Sequence, residues 1–527
     1  MQAPIGNIGS LSGSIRRTYF DKTIAPFINN IPAYYFLDGN LKAFFDINDK
    51  NKLTISGYGS ADRLSLSHNA KTKGQANTGL KYDWGNRTGS VRWTRVFSPQ
   101  LFSNFWVTGS RFNSDADFST TFDEVFTEKN FITDVSLKGD LEYYPVDKFK
   151  LGLGFEQKNL HLVFKRQSES GIIDVDRRPE HYAGYLLGNW QPSKRLDLEA
   201  GLRYNLFDAG EKFQNLAPRF SAKYRATDSI NLKAAAGIYY QYLHRVPKTF
   251  LADNWVSSNA AQKESSSKHA IFGFSKDFAG AYQLEIETYY KNYKNIYAFN
   301  ENFTVDITPQ RIEGEIPIYT ETVGIFNRGD GNSKGIEFLM RKDIGITTGW
   351  LSYSSSLTKY TFDGINQGKA FSPRHDRAHV VNLVGNLDWK NFKRWRRGEM
   401  ATVHNSNWRI GFMFAYTSGQ PTTLPGSTYF VHMVPDWDFV SHEVYPSAIN
   451  EMRLPPYMRL DLSLTYEKHY KDWSMAPYLQ IFNVWNRKNI WFVDFDAIPG
   501  PNNNLKGVIE TSGMFPIVPT IGVNFTF

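Results

Sequence analysis

The sequence predicts an all-β protein, a transmembrane antiparallel up-and-down β-barrel, on three observations. The first is a strict alternation of apolar and polar residues over segments of roughly 10 to 18 residues. The second is that short turns alternate with long connections, and the third is a final strand that ends in an aromatic residue. Strands of this length suit a membrane, because about 9–11 residues cross the hydrocarbon layer when a strand is tilted. Soluble sandwiches have strands of about 5–6 residues.

The composition excludes several other classes of protein. A membrane-spanning helix needs roughly 20 consecutive apolar residues, and the 527 residues contain no such run. The absence of cysteine excludes a disulfide scaffold and a thiolate zinc site. The net charge of +8 is spread along the chain, so we expect no nucleic-acid binding, which needs a concentrated basic patch. The dense basic run at 390–397 is interleaved with aromatic residues, and we expect it to snorkel at a membrane edge.

The period of two assigns each strand side chain to lipid or to a wet lumen. The segments 195–205 and 459–466 show the pattern most clearly, with an apolar and a charged face. The side chains expected to face lipid are Leu196, Leu198, Leu202, Leu460, Leu462 and Leu464. Those expected to face the lumen are Asp197, Arg203, Arg459 and Asp461.

The connections orient the predicted barrel, since such barrels keep short turns on the periplasmic side and long loops outside. Short turns are predicted at 145–148, 191–194, 226–229, 342–346 and 468–472. Long connections are predicted at about 67–77, 114–128, 167–178, 243–266, 299–330, 420–454 and 484–514. Counting strands between these marks gives about twenty, with 79–97 kept as one strand.

The two ends of the chain carry different signals. The last residues, 521–527, alternate apolar and polar and end on an aromatic ring. This resembles the signal read by the outer-membrane barrel-assembly machinery, with Phe525 and Phe527 as its aromatic residues. The first ten residues have no basic segment followed by an apolar one, so we expect no signal peptide.

No motif in the sequence indicates catalysis. A nucleophile elbow, a zinc-binding HExxH and a phosphate loop are all missing, so we expect no enzyme, cofactor or metal site. His375 and His379 would lie about 13 Å apart on a strand, too far to share a metal. Arg374, Asp376 and Arg377 are interpreted instead as a salt-bridge cluster at a strand entry.

Ligand contact is expected in the long loops, because loops carry recognition while a scaffold holds them. Loop 299–330 is acidic and loop 420–454 is rich in aromatic residues. The candidate contacts in these two loops are Glu313, Glu315, Tyr429, His432 and Trp437. Acidic and aromatic loops suit siderophore-bound iron, cobalamin, a glycan or a peptide equally well, so the sequence leaves the ligand open.

Several stretches together resemble the barrel half of the TonB-dependent receptors of Gram-negative bacteria. They are RRTYFD at 16–21, DWGN at 83–86, APRF at 217–220, ETYYKNY at 287–293, SKGIE at 333–337, HDRAH at 375–379, LPPYMRLD at 454–461 and NVWN at 483–486. The resemblance implies an integral barrel of 22 strands in the outer membrane, gated by an internal plug. It also implies two partners, a small nutrient ligand and the TonB energy-coupling complex, which acts through the plug.

The N-terminus departs from that family pattern. The opening residues 4–9 resemble the turn after the second barrel strand, so we expect no plug domain or coupling-box segment before the barrel in this chain. We therefore expect residues 1–527 to be a single outer-membrane barrel domain with about 20 of the usual 22 strands. The leading functional hypothesis is the barrel of a TonB-dependent importer. The alternatives are a plugless passive diffusion channel and, disfavoured by strand length and by the terminal signature, a soluble all-β glycan-binding protein.

Overall fold

The computed structural model describes most of the chain. The described residues are 2–23, 33–68, 78–120, 124–168, 171–246, 254–279, 281–300, 309–321, 323–404, 406–423, 425–432, 440–446, 448–499 and 505–526. They are dominated by β-strands, so the expected all-β fold class is confirmed.

The strands are numbered here in chain order. Strands β1 to β10 are Gln2–Ile5, Gly9–Arg17, Ala33–Asn48, Asn51–His68, Thr78–Ser98, Leu101–Thr120, Glu124–Val146, Phe149–Ser168, Gly171–Arg177 and Glu180–Ser193. Strands β11 to β21 are Leu196–Asp208, Lys212–Arg225, Ile230–Gln241, Leu243–Val246, Asn254–Ser257, Ser265–Phe278, Tyr282–Phe299, Arg311–Glu313, Ile316–Tyr319, Phe326–Lys342 and Thr347–Phe362. Strands β22 to β32 are His379–Asp388, Ser406–Thr417, Pro421–Thr422, Pro425–His432, Val440–Pro446, Met452–Arg453, Tyr457–His469, Ser474–Phe482, Ile490–Pro499, Leu505–Gly513 and Val518–Thr526.

Helices are few among the described residues. Helix α1 is Phe20–Thr23, helix α2 is Trp389–Arg396, and a single 3₁₀ turn covers Asn366–Gly368. In the part of the chain that is described, no helix has the length and apolar character needed to cross a membrane.

Most strands belong to one sheet of 24 strands, and its long neighbouring strands pair in antiparallel fashion. Twenty of those 24 strands have nine or more residues over the described part of the chain, which agrees with the expected count. The chain forms two compact units. Unit 1 comprises 1–222, 236–268 and 293–330, and unit 2 comprises 223–235, 269–292 and 331–527. In unit 1 each strand from β1 to β8 pairs with the next, and in unit 2 the order of pairing is β21, β22, β23, β28, β29 and β32.

The five predicted short turns are confirmed, since each lies between two consecutive long strands. The single strand expected at 79–97 is confirmed as β5, which keeps an unbroken antiparallel register with β6 from Thr78 to Val96. The connection between β22 and β23 is longer than a turn and contains α2.

Two predicted long connections are wrong in part. Strands β6 and β7 run through most of 114–128 and stay paired as far as Ser119 and Glu124, where Phe118 stacks on Phe126. At 167–178 the chain returns as β9, which pairs with the end of β8. Both stretches are rich in polar residues. These residues still form strands, because the strands are longer than the part of the wall that carries apolar side chains.

The basic run at 390–397 forms α2. The Asp388 carboxylate caps the helix by accepting a hydrogen bond from the Asn391 N–H at 2.9 Å. The rings of Trp389 and Phe392 stack, and the Lys393 ammonium lies 5.0 Å from the Trp389 ring centroid. Basic heads and aromatic rings on one short helix are typical of a membrane edge, which stays a prediction.

The polarity of the wall is the reverse of a soluble protein. On β11 and β28 the predicted lipid-facing residues Leu202, Leu462 and Leu464 are 46%, 40% and 38% exposed. On the opposite face Arg203 is paired with Glu156 at 2.6 Å. We call these the exposed apolar face and the polar face. These leucines and Arg203 therefore lie on opposite faces, as expected, and contact of the leucines with lipid stays a prediction.

The other predicted residues follow the same two faces. On β28 Arg459 and Asp461 form an ion pair at 3.1 Å, and both side chains are about four-fifths buried. Leu460 shares the strand parity of Leu462, while Leu196, Leu198 and Asp197 continue the alternation of β11.

Replacing Leu462 by arginine tests the exposed apolar face. The substitution should lower the free energy of unfolding in a phospholipid bilayer by roughly 2–4 kcal/mol, the cost of a cation at the midplane. The measurement is a guanidinium titration of the chain folded in vesicles. The matched control is Ser463→Arg on the polar face, which should cost much less, and an equal loss in the two variants would contradict the assignment of faces.

Candidate functional site

In unit 1 two of the long connections contain β-hairpins. Strands β14 and β15 form a hairpin, with Leu243 opposite Ser257, and β18 and β19 form a second hairpin. Strand β19 pairs in parallel with β9, with Ile318 opposite Ile172. The β9–β19 pairing joins connections that are distant in sequence. We call the end of unit 1 that carries these long connections its loop end.

Two clusters of buried apolar side chains support this end. The first contains Phe164, Ile173, Val175, Val256, Tyr319, Ile325 and Phe326. The second contains Leu160, Leu162, Phe207, Phe213 and Tyr242, in which the Phe207 and Tyr242 rings stack at 4.8 Å. Since residues from β8, β9, β15 and β19 share the first cluster, burial of apolar area fixes the hairpins to the strands beneath them.

A chain of polar contacts begins on the wall below these clusters. Arg203 donates one hydrogen bond to Glu156 at 2.6 Å and another to the Asn205 side-chain oxygen at 2.9 Å. Lys158 approaches Glu156 at 3.1 Å, and His181 shares the same oxygen of Asn205 at 3.2 Å. Each charged group therefore has a partner of opposite charge or a hydrogen bond on the polar face.

The chain of contacts continues into the loop end through Tyr242, whose ring lies 5.2 Å from that of His181. The Tyr242 hydroxyl donates to the Asn215 side-chain oxygen at 2.7 Å, and the Asn215 amide donates to Glu264 at 3.0 Å. The Asn295 amide in turn donates to the Glu264 carbonyl at 2.9 Å. Side chains from several separate connections are thus held in one network.

His244, on the β14 hairpin, lies at the centre of this arrangement with 4% of its surface exposed. Its Nε2 lies 2.9 Å from the Ser258 hydroxyl, and its Nδ1 lies 3.1 Å from the Ser265 hydroxyl. The Ser265 proton is donated to the Asn295 carbonyl, so Ser265 can only accept from His244. The arrangement therefore favours a neutral ring with its proton on Nδ1. Burial lowers the pKa of His244 to about 4.

Unit 2 contains a buried ion pair at the entry to β22. The Asp376 carboxylate is fully buried, accepts a hydrogen bond from the Thr358 N–H at 3.0 Å and pairs with Arg453. The predicted salt bridge at this strand entry is therefore confirmed for Asp376, but its partner was not foreseen. Arg377 donates instead to the Gln420 side chain at 2.9 Å, which corrects the expected pairing within 374–377.

The two C-terminal stretches quoted for the family resemblance meet at one junction in unit 2. Asn483 is fully buried in a left-handed conformation with φ of 53°. Its N–H donates to Asp461 at 2.9 Å, and its amide donates to the carbonyls of Arg487 and Phe515. The Asn489 side chain accepts a hydrogen bond from the Met458 N–H and donates one to the Met458 carbonyl. These residues have a structural role, since their polar atoms are used within the chain.

The predicted ligand contacts are placed as follows. Glu313 and Glu315 belong to the β18–β19 hairpin, where both are exposed and Glu313 pairs with Arg311 at 3.3 Å. Tyr429 and His432 lie on β25, with Tyr429 opposite Glu443. Trp437 lies outside the described residues. Their contact with a ligand stays a prediction.

The predicted assembly signal lies on β32. Phe525 is exposed, pairs in register with Met475, and has its ring 6.1 Å from that of Trp473. Phe527 lies outside the described residues. Recognition by the assembly machinery stays a prediction.

Among the described residues, no three His, Asp or Glu side chains are grouped so as to hold a metal ion. On the polar face of unit 1, three aromatic rings form a stacked run. Trp84 stacks on Tyr82 with centroids 4.5 Å apart and on Tyr34 at 6.1 Å. The Tyr34 hydroxyl donates to Asp62 at 2.6 Å, so a polar group borders the rings.

The buried imidazole makes the β14–β15 hairpin sensitive to pH. Because the pKa of His244 is lower in the folded hairpin than its usual 6.5, an opened hairpin binds the proton more readily. The free energy needed to open the hairpin has its full value above pH 6.5. It falls by on the order of 3 kcal/mol as the pH drops toward 4. Hydrogen exchange of the paired residues 243–246 and 254–257, corrected for intrinsic rates, should therefore rise as the pH falls over this range. His244→Gln should remove the pH dependence while the His161→Gln control keeps it, and a pH-independent wild type would refute the assignment.

The Asn483 junction makes a second prediction, on stability. Asn483→Ala removes the side-chain hydrogen bonds and places alanine at positive φ, which should cost about 1–3 kcal/mol. Thermal unfolding in detergent micelles measures the loss. Asn483→Gly relieves the backbone strain and should recover part of the stability. A midpoint unchanged in Asn483→Ala would show that the junction does not stabilise the fold.

The comparisons with known proteins bear on this geometry. A family model described as TonB dependent receptor-like, beta-barrel, matches residues 9–484. Solved structures with a similar fold include BauA, the ferric preacinetobactin receptor from Acinetobacter baumannii, with a TM-score of 0.61 and 11% identity over 98% of this chain and 77% of that one. FyuA, the ferric yersiniabactin uptake receptor from Yersinia pestis, has a TM-score of 0.62 and 11% identity over 99% and 76%. The FrpB iron transporter from Neisseria meningitidis has a TM-score of 0.60 and 11% identity over 91% and 73%.

No curated protein matches the sequence. At 11% identity the solved structures establish the fold alone, whereas the family model covers most of the chain. The chain belongs to the TonB-dependent receptor family, in its β-barrel domain.

Proposed function

We propose that the chain is the barrel of an integral outer-membrane importer, which binds a scarce nutrient at its long connections and passes it to the periplasm. The observation that carries the proposal is the reversed polarity of the wall in a chain of this family. Leucines such as Leu202 are exposed on one face, and ion pairs such as Arg203 with Glu156 lie on the other. The first face suits lipid and the second suits water.

The loop end of unit 1 supports binding rather than mere passage. A general diffusion pore needs only an open lumen, whereas a receptor gains affinity when its loops are ordered before the ligand arrives. The apolar clusters and the network through Tyr242, Asn215 and Glu264 order the connections in this way. We infer that they preorganise the surface to which the ligand binds.

A ferric chelate is the ligand class to test first. BauA and FyuA, which share the fold, are receptors for ferric preacinetobactin and ferric yersiniabactin. The stacked rings of Tyr34, Tyr82 and Trp84 offer flat apolar faces beside the Asp62 carboxylate, and aromatic chelators stack on such faces. Cobalamin, a glycan and a peptide are the other classes that the binding assay includes.

Import of this kind is coupled to the inner membrane by the TonB complex, which acts through a plug inside the barrel in this family. The experiment therefore uses the natural full-length gene product in cells. A strain that lacks the gene is compared with a complemented strain for uptake of radiolabelled ferric chelates, with and without collapse of the proton gradient. We expect uptake to depend on both the gene and the gradient.

A matched pair of tryptophan variants tests the binding surface. Trp84→Ala on the polar face should weaken ligand binding about tenfold, the loss of one stacking contact of roughly 1–1.5 kcal/mol. Trp190→Ala removes the same side chain from the exposed apolar face, where Trp190 is 50% exposed, and should leave affinity unchanged. Isothermal titration of the folded protein in micelles gives both values.

In the uptake experiment, gene-dependent permeation of unrelated solutes that does not depend on the proton gradient would instead establish a passive channel and refute the importer.

A further inference from the structure

An open groove of about 580 Å³ crosses four strands on the exposed apolar face of unit 1. Its lining includes residues from β4, β5, β6 and β7, namely Gly57, Gly59, Gly89, Gly109, Arg87, Arg111 and Thr133. The neighbouring side chains on this face, Val91 and Val107, are 42% and 56% exposed. The groove therefore lies on the surface that the proposed function turns toward the membrane.

The groove exists because three glycines stand side by side. Gly57 lies opposite Gly89 in the β4–β5 register, and Gly89 lies opposite Gly109 in the β5–β6 register. None of the three has a positive φ, so their backbone does not require glycine. A Cβ added to Gly89 or Gly109 would meet nothing within 4 Å, and one added to Gly57 only a backbone oxygen at 4.0 Å. Packing does not require glycine either, and its effect here is to leave open space.

Two arginines border this space on the side toward the long connections. Arg87 and Arg111 are directly opposite each other in the β5–β6 register and both are exposed. The Arg111 guanidinium lies 4.1 Å from the centroid of the Phe131 ring, which orients it along the face. Like charges directly opposite each other on a sheet are destabilising. An anion between them would reverse that cost.

The carboxylates on the same face lie farther from the groove. Asp83 and Asp115 are four residues beyond Arg87 and Arg111 toward the long connections. Asp83 is paired with Arg63 at 3.7 Å, and Asp115 stands opposite Lys129. Their charges are thus balanced locally. Among the described residues, Arg87 forms no ion pair within 4 Å.

On the other side of the glycines the face is apolar. Ile55, Val91, Val107 and Leu137 stand side by side in register across the same four strands. All four are 42–56% exposed. The groove therefore separates an apolar row from a pair of cations, as the boundary between acyl chains and headgroups does in a bilayer.

We propose that the groove binds the phosphorylated headgroup of a membrane lipid. The phosphate lies between Arg87 and Arg111, where guanidinium groups can bind its oxygens, and the acyl chains extend over the apolar row. The inference rests on the proposed membrane location. Free phosphate has the same anionic chemistry, but the apolar row beside the arginines favours the lipid.

The test uses the full chain folded in detergent micelles and native mass spectrometry to count retained lipids. The probes are phosphatidylglycerol and a diacylglycerol with the same acyl chains, which lacks the phosphate. We expect at least tenfold more retention of phosphatidylglycerol. The double variant Arg87→Gln with Arg111→Gln should abolish that preference, whereas Lys81→Gln with Lys129→Gln, which removes two cations from the same face, should preserve it.

A second variant keeps both arginines and fills the groove. Gly89→Val introduces a side chain into the open space, in a residue type that strands favour, and should lower phosphatidylglycerol retention about tenfold in a protein that still folds. Equal retention of the two probes by the wild type, or equal losses in the two double variants, would overturn the site. Complete displacement of the lipid by an equimolar amount of inorganic phosphate would overturn the lipid in favour of a free-anion site. Liposome insertion is measured in parallel, since a chain that fails to insert contradicts the proposed function, whereas insertion without a phosphate preference contradicts the lipid site alone.

Discussion

The whole architecture depends on the pairing of backbone N–H and carbonyl groups between neighbouring strands. No water is present inside a bilayer to satisfy these groups, so every spanning strand must find its partners on adjacent strands. Strands β5 and β6 meet this requirement with an antiparallel register that runs unbroken from Thr78 to Val96. In the proposed membrane location one face of the sheet meets lipid, and the polar side chains lie on the other face, where Arg203 and Glu156 are paired. Backbone pairing holds the strands together, and the two environments proposed for the faces account for the reversed polarity of the wall.

That dependence also explains which features could be predicted from the sequence. The faces of β11 and β28 and the extent of β5 follow from a period of two, which is a local property of the chain. The ion pair of Asp376 with Arg453 joins residues 77 positions apart, and its pairing depends on how two distant connections fold. The network around His244 also depends on how distant connections fold, and no local sequence motif predicts it. The prediction of a loop at 114–128 was wrong for a different reason. Where a strand continues past the apolar part of the wall, its residues no longer alternate between apolar and polar, so the period of two is lost.

The two units stabilise their long connections by different means. In unit 1 apolar clusters around Phe164 and Phe207 carry most of the burial, and a chain of side-chain hydrogen bonds crosses between them. In unit 2 side-chain amides act on the backbone directly, as Asn483 and Asn489 do at the ends of β29 and β28. Buried amides that bond to backbone groups fix one conformation, because each alternative leaves a polar atom unpaired. Both means give the loops a defined base without filling their outer surface, which a ligand can then contact.

The glycines of the wall differ in what lies over them on its outer face. Glycine in a strand leaves a gap, and in this chain an aromatic ring on a neighbouring strand often covers it. A Cβ at Gly154 would run into the Tyr185 ring, one at Gly385 into Phe412, and one at Gly522 into Tyr478. Gly89 and Gly109 have no such cover, because Gly89 lies opposite two other glycines and Gly109 lies opposite Gly89 and the short side chain of Val135. The difference lies in the neighbours rather than in the glycines. An uncovered row bordered by two cations on the exposed apolar face is a place where a headgroup can take the position that a ring occupies elsewhere on the wall.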